Sequence, residues 1–503
     1  MSRTETQTPK TIFRELEKYK VSKNLLRLEK DGQLVLCNTL HVMPLLVTQG
    51  ADVVKSALDA VGHPSNGNPP GDAQLYETFH THHLIVTADD EEKAPYIDFQ
   101  YKPEERKAGM TMYLLMSQDC NLRCRYCFAH EFPYRQKEHM PLAVAKRAVD
   151  RNVRRMTANG SLSLVFFGGE PLMNWPVIKD LILYVESDIK PTHKKKTLSY
   201  HITTNLSILP DDFVEWVKKY KITLLTDVDG HRAEEHNMLR PTAQGGGSYE
   251  MILANIAMLH GEGIDVEVRS TICACNQEHI YRIAAAMKEL TGTGAVLELV
   301  SPFDSSQQPI AQDLLPNIDR YIEDVVAIYR SGSPPVENIF PINKLFEKIR
   351  GGQGTPLGCG MPWGNIHVID HRGDVYMCTY LVGQEEYKMG NVFDDGVTYS
   401  HEKEAVRNAL MQVHVDHTRS CKSCSWKYLC SGHCPIARLA VEANERQGKN
   451  IPDYVKKYTF AKSCKANRTF LQTLLWDLAT NTVPVPPAGK GRPDQVKEPA
   501  CPV

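Results

Sequence analysis

Apolar positions along this chain change period several times, and the changes mark its parts. Near the start, Leu25-Leu26-Arg27-Leu28, the turn pair Asp31-Gly32 and Leu34-Val35-Leu36 predict a β-hairpin. Val53, Val54, Ala57, Leu58 and Val61 recur at helical spacing over Ala51–Val61. The Pro- and Gly-rich stretch His63–Gly71 predicts a loop, Leu75–His82 a second helix and Leu84–Val86 a closing strand. Residues 1–105 thus read as a small α+β, winged-helix-like domain. Such a domain suits peptide docking by strand addition to an exposed edge, or plain packing on the core.

From about residue 108 the pattern becomes strand, loop, helix, repeated. Strands are expected at Met112–Met116, Leu162–Phe167, Leu198–Thr203, Ile222–Val228, Val266–Ile272 and Ala295–Val300. Helices are expected between them at Pro141–Met156, Trp175–Val185, Asp211–Tyr220, Tyr249–His260 and His279–Leu290. Leu162–Phe167 is almost continuously apolar, as in a strand buried on both faces. The six units predict an α/β fold, a partial (β/α)6 barrel over 106–305, with its site at the carboxyl ends of the strands. Leu314–Tyr329 and Phe340–Arg350 predict bridging helices within 306–350. Residues 351–475 form a loop-rich, cysteine-bearing region. The tail, 476–503, turns Pro-, Gly- and charge-rich from Val483 and is expected to be disordered.

Composition narrows the functional classes. In 503 residues the apolar fraction is 42% and the charged fraction 23%, as in ordinary globular domains. A formal charge of −2 gives no basic surplus for nucleic acid or an anionic membrane. No apolar run approaches a membrane span, and the polar start MSRTETQTPK lacks the apolar segment of a signal peptide. The expected location is the cytoplasm. In that reducing compartment the 14 cysteines point to metal binding rather than disulfides.

Three of them, Cys120, Cys124 and Cys127, follow the first barrel strand as C-N-L-R-C-R-Y-C. Thiolates so spaced can wrap one inorganic cluster. Zinc is the alternative, but a structural zinc site closes with four ligands. Farther on, Cys359-x13-Gly373-x4-Cys378 precedes Cys421-x2-Cys424-x5-Cys430-x3-Cys434, and Cys464 follows. Zinc again competes for these residues taken alone.

The C-x3-C-x2-C motif at the end of strand one resembles the radical S-adenosylmethionine enzymes. The later array is similar to the SPASM domain of their peptide- and protein-modifying members. Together the resemblance covers about residues 108–470. It implies a [4Fe-4S] cluster on Cys120, Cys124 and Cys127 whose open iron holds S-adenosylmethionine. Electron transfer would then yield a 5′-deoxyadenosyl radical that takes hydrogen from a substrate. It assigns Gly168-Gly169-Glu170-Pro171 to the methionine amino group, Arg269 to the carboxylate and Tyr126 to the adenine border. Thr203-Thr204-Asn205 would shape the site. Related enzymes often carry Ser where Asp227 stands. Two auxiliary clusters are implied: one on Cys421, Cys424, Cys430 and Cys464, the other on Cys359, Cys378 and Cys434. Residues 360–377 hold no fourth Cys for the second of these, so Asp370, His371, His367 or a substrate thiolate could complete it.

The implied function is maturation of a peptide or protein subunit with a leader segment. A crosslink, preferably a thioether, would be installed, with a reduced flavodoxin or ferredoxin as electron donor. A carbon–carbon crosslink and formylglycine formation in sulfatases are the alternatives, and a cluster- or zinc-bearing scaffold is the non-enzyme reading. Asp227, Asp229 and Glu298, at or near strand ends, are candidate bases. Cys273 and Cys275 share a strand face with Arg269 and read as core residues, as does Cys37.

Overall fold

A computed structural model describes residues 12–480 apart from 14, 64–68, 93–105, 132–136, 293–294, 305–307, 333–340, 362–363, 396–413 and ten positions within 433–449. The tail beyond 480, with Cys501, lies outside the described residues. Among those described, no helix is long and apolar enough to cross a membrane.

The N-terminal unit contains β1 (Tyr19–Val21), β2 (Leu25–Lys30), β3 (Gln33–Asn38), β4 (Leu45–Val47) and β5 (Ile85–Thr87). β2, β3 and β4 form an antiparallel sheet in that order, and β1 pairs separately with β5. The Asp31-Gly32 turn takes left-handed φ at both residues, which the two-residue hairpin requires. Helices Ala51–Asp59 and Ala73–Thr81 follow, the second capped by the Asp72 side chain on the Leu75 N–H. Alternation along β3 explains how the unit is mounted. Leu34 and Leu36 enter a small core with Val54, Leu58, Tyr76 and Phe79. Val35 and Cys37 point the other way, into the main core of the chain.

The barrel strands are β6 (Lys107–Ser117), β7 (Met156–Gly168), β8 (Thr197–Thr203), β9 (Thr223–Asp227), β10 (Val266–Ile272) and β11 (Ala295–Leu299). All run parallel in sequence order. Their carboxyl ends therefore share one rim. β6 and β7 extend well beyond their apolar centres, and the helix Leu142–Arg155 passes straight into β7 at Met156. A helix Ala233–Leu239, too short to show a period, follows β9.

The sheet does not stop at the barrel. β12 (Ile366–Ile369) adds to β6 in parallel, and β13 (Asp374–Tyr376) and β14 (Gly390–Asn391) continue antiparallel. Nine strands thus run β11-β10-β9-β8-β7-β6-β12-β13-β14. The cysteine-rich region shares the barrel's own sheet. Its two framing helices, Asp453–Phe460 and Asn467–Ala479, are joined by a π-turn stretch Ala461–Ala466.

Phe166, near the carboxyl end of β7, is fully buried. The F166A variant is expected to lose about 3–5 kcal/mol of stability. Its thermal midpoint, followed by far-ultraviolet circular dichroism, would fall accordingly.

Candidate active site and cysteine arrays

The loop Cys120–Cys127 leaves β6 at the rim, and a returning segment holds it. Arg123 and Arg125 donate backbone N–H bonds to the carbonyls of Pro241 (2.7 Å) and Leu239 (2.9 Å), and Ala243 donates to that of Asn121 (2.8 Å). All three thiols are partly buried. Burial pushes Cys120 up to about 11 and Cys124 up to about 12. Three thiols within one eight-residue loop fit a thiolate-bound cluster, whose positive irons would offset the burial that keeps these thiols protonated.

Gly168 and Gly169 let the ends of β6 and β7 touch. A Cβ on Gly168 would lie 2.4 Å from the Ser117 carbonyl oxygen, and one on Gly169 2.3 Å from that of Asp119. Glu170 is fully buried and ties the turn after β7 to the end of β8. Its Oε1 accepts from the Leu172 N–H (2.9 Å) and the Thr204 hydroxyl (2.7 Å), and its Oε2 from the Asn205 N–H (2.8 Å). Burial outweighs these bonds and raises the carboxyl to about 7. Pro171 opens the short turn that Glu170 caps. Asn205 reaches the cluster loop, donating to Asn121 Oδ1 (2.9 Å) and to Cys120 Sγ (3.8 Å).

Across the rim lies a buried charge network. Register places Asp227 of β9 directly opposite Arg269 of β10. The guanidinium binds both carboxylate oxygens, at 2.6 and 3.2 Å, and its Nη1 lies 3.8 Å from Glu298 of β11. Arg240, at the end of the helix Ala233–Leu239, donates to the Tyr126 hydroxyl at 2.7 Å. It also lies 3.4 Å from Asp227 and 3.5 Å from Asp229. Tyr126 in turn donates to Asp229 Oδ2, while Thr271 N–H holds Oδ1 at 2.7 Å. Burial would raise Asp227, but Arg269 and then Arg240 outweigh it and keep the carboxyl below its usual range. Asp229 is raised by burial, with Arg240 opposing. Burial likewise raises Glu298.

Sequence spacing did not single out Arg240 or His236. His236 Nδ1 accepts the Asp229 N–H at 3.2 Å, so its Nε2–H donates to Ser248 Oγ at 3.1 Å. The Ser248 hydroxyl in turn donates to the Arg240 carbonyl at 2.7 Å. The ring is thereby fixed as the neutral Nε2–H tautomer. Burial, then Arg240, hold its pKa down at about 3.

In the second array, the charges of Cys430, Cys421 and Cys424 all bear on Cys464, in the π-turn, which burial raises to about 11. Ser463 and Asn467, on either side of Cys464, meet Cys430 Sγ at 3.9 and 3.8 Å, which sets Cys464 beside the Cys421–Cys430 segment. Arg468 donates to Cys424 Sγ (3.1 Å) and Asn467 to Cys430 Sγ (3.8 Å), bonds suited to thiolates. Cys359 and Cys378 are buried and Cys434 partly so. Burial raises the phenol of the partly buried Tyr380, and Glu298, Cys434 and Cys378 add to the rise. Lys462 links this region to the barrel rim: its Nζ donates to the carbonyls of Leu299 (2.7 Å) and Val300 (3.0 Å). Cys273 is fully buried and Cys275 partly so.

Two outcomes follow from this geometry. The G169A variant forces apart β7 and the cluster loop and is expected to bind less iron after anaerobic reconstitution. G261A, whose added carbon meets nothing within 4 Å, retains wild-type iron. A histidine held neutral to about 3 must stay unprotonated in the fold, while the unfolded chain takes up a proton below about 6.5. Its stabilising contribution is complete above about 6.5 and is lost as pH falls toward about 3. Between pH 7 and 5 the wild-type thermal midpoint is therefore expected to fall more than that of H236Q.

Comparison with known proteins accords with these arrays. Residues 114–283 match the radical SAM superfamily, and residues 359–425 match SPASM, an iron–sulfur cluster-binding domain. The chain is 22% identical over 349 residues to the cysteine-type anaerobic sulfatase-maturating enzyme of Clostridium novyi, covering 66% of this chain and 89% of that one. A solved structure of native anSMEcpe with bound AdoMet and Cp18Cys peptide superposes with a TM-score of 0.58 at 17% identity. It covers 74% of this chain and 99% of its own. The crystal structure of Streptococcus suis SuiB bound to precursor peptide SuiA gives 0.51 at 14% identity, covering 87% of this chain and 99% of its own. The chain is a radical SAM enzyme with a SPASM domain, and its cofactors are S-adenosylmethionine and multiple [4Fe-4S] clusters.

Proposed function

We propose that this enzyme matures a precursor peptide, removing hydrogen from one residue and closing an intramolecular crosslink, with a thioether to a peptide cysteine as the bond. The N-terminal unit carries the reading. It has a core of its own, and β4 is paired on one side only among the described residues. A leader segment added there would gain main-chain hydrogen bonds, and side chains of β4 would set its register. The SuiB structure, whose partner is a precursor peptide, covers more of this chain than the sulfatase-maturase structure does, 87% against 74%.

Bound at Cys120, Cys124 and Cys127, the cluster and S-adenosylmethionine would supply a radical able to take hydrogen from carbon. The chain's own groups would do the rest. Glu170, Thr204 and Asn205 hold the loop that carries the cysteines. Asp227, gripped at both oxygens by Arg269, positions that arginine rather than accepting a proton. Asp229 suits the role of proton acceptor, with the Tyr126 hydroxyl as the relay, and Glu298 is the second candidate.

The preference for a thioether rests on Cys359, Cys378 and Cys434. His371 has both ring nitrogens engaged, Nδ1 with Gln118 at 2.7 Å and Nε2 with Glu138 at 2.5 Å, while His367 meets Asn152 through Nδ1 at 2.6 Å. Asp370 Oδ1 accepts from its own turn, while Oδ2 has no hydrogen-bond partner among the described residues. The shell then closes on Asp370, on His367 through Nε2, or on a substrate thiolate. Formylglycine formation is the second reading, favoured by the likeness to 89% of the Clostridium novyi enzyme.

Anaerobic reconstitution is expected to give about 12 irons per chain for three four-iron clusters. Substituting Cys120, Cys124 and Cys127 together by Ala should remove about four of them. The reconstituted enzyme, S-adenosylmethionine and dithionite would then be incubated with peptides encoded by small reading frames beside its gene. Loss of two hydrogens with one peptide cysteine no longer alkylatable supports the thioether. The same mass loss with every cysteine alkylatable replaces it with a carbon–carbon bond. Formylglycine in a sulfatase-derived peptide replaces both.

A further inference from the structure

Two loops at the same rim carry a cluster of side chains that the radical chemistry does not use. One follows Asp229 into the helix Ala233–Leu239 and bears His231 and Glu235. The other follows β10 through the turn Gln277–His279 and bears His279. One ring nitrogen from each histidine and one oxygen of Glu235 all lie within 4.8 Å of one another. His231 Nδ1 stands 2.9 Å from Oε2 and His279 Nδ1 2.8 Å from Oε1, so the carboxylate sits between two imidazoles. The rings themselves are 4.8 Å apart. The Glu235 side chain is only 6% exposed, against 17% for His231 and 24% for His279.

One contact in this cluster does not work as a hydrogen bond. His279 Nδ1 is buried, yet at 2.8 Å from Glu235 it has no aligned partner among the described residues. A buried ring nitrogen so placed bears the cost of desolvation without an aligned bond in return. An ion bound between these groups would engage that nitrogen and the carboxylate together. Arg232 also touches Oε1, at 2.8 Å, but its side chain is 54% exposed and free to turn into water.

We propose that His231, Glu235 and His279 bind one divalent transition-metal ion, separate from the sulfur-ligated clusters. Two imidazoles and a carboxylate suit Zn2+ and its neighbours, not Ca2+ or Mg2+, which take all-oxygen shells. Three protein ligands leave a position for water or a carbonyl. Asn276 already ties the two loops, donating from its side chain to the Asp229 carbonyl at 2.7 Å. The ion would pin the loop after β9 to the loop after β10, beside the buried charge network.

The test uses the full chain after anaerobic reconstitution, so that its cysteines hold iron, dialysed against Zn2+ alone. One additional zinc per chain is expected, with a rise in thermal midpoint. In H279Q and E235Q the affinity should fall by at least about tenfold and the thermal shift should vanish. Equal zinc binding by wild type and both variants overturns the proposal, as does the absence of the extra zinc from wild type. Glu235 also accepts the His231 backbone N–H, so E235Q carries a risk of misfolding. H279Q, with wild-type iron content as proof of folding, decides the matter alone.

Discussion

The rim depends on a buried guanidinium set between two carboxylates. Asp227 and Asp229 are neighbours in the fold and share one pocket, and two burials of negative charge need a cation between them. Arg240 supplies it while holding the Tyr126 hydroxyl. Arg240 reaches that place because the helix Ala233–Leu239 ends beneath the loop of Cys120–Cys127. The residues flanking it, Leu239 and Pro241, give their carbonyls to that loop. One short segment thus sets the electrostatics of the strand ends and the shape of the cysteine loop. Breaking a buried pair of this kind costs about 3–5 kcal/mol, because the remaining charge has no water to turn to. His236, held neutral between the Asp229 N–H and Ser248, keeps the same segment seated without adding a further charge.

Much of this was legible in the residues, and the limits were physical. The six barrel strands announced themselves because strands buried on both faces need nearly unbroken apolar runs, as Leu162–Phe167 has. The cysteine arrays were legible because ligand spacing is a local property. Arg240 was not, since its role appears only when the fold sets it against Asp227, Asp229 and the distant Tyr126. The helix that carries it is too short to show a period. Nor did spacing reveal that Asp227 and Arg269 stand in register; their pairing comes from the way β9 and β10 align. Strands β12 to β14 escaped for the opposite reason. They are short, and each is fixed by the neighbour it pairs with rather than by its own pattern.

Glu170 illustrates how one residue can satisfy a motif and still do more than the motif says. Its oxygens join the turn after β7 to the end of β8, and so to the Asn205 contact with the cysteine loop. Gly168 and Gly169 beside it serve close approach of protein to protein.

The pairing of β12 with β6 has a consequence of its own. The strand that presents Cys120 is flanked by β7 on one side and by the SPASM region on the other. Its register with β12 runs from Thr111 opposite Ile366 to Leu114 opposite Ile369. The two metal-bearing regions are therefore not beads on a string. Deleting the SPASM region would strip β6 of its ladder on one side and leave an apolar edge of the kind that recruits other chains. What looks like an add-on domain is also the seal that keeps the barrel from becoming an aggregation template.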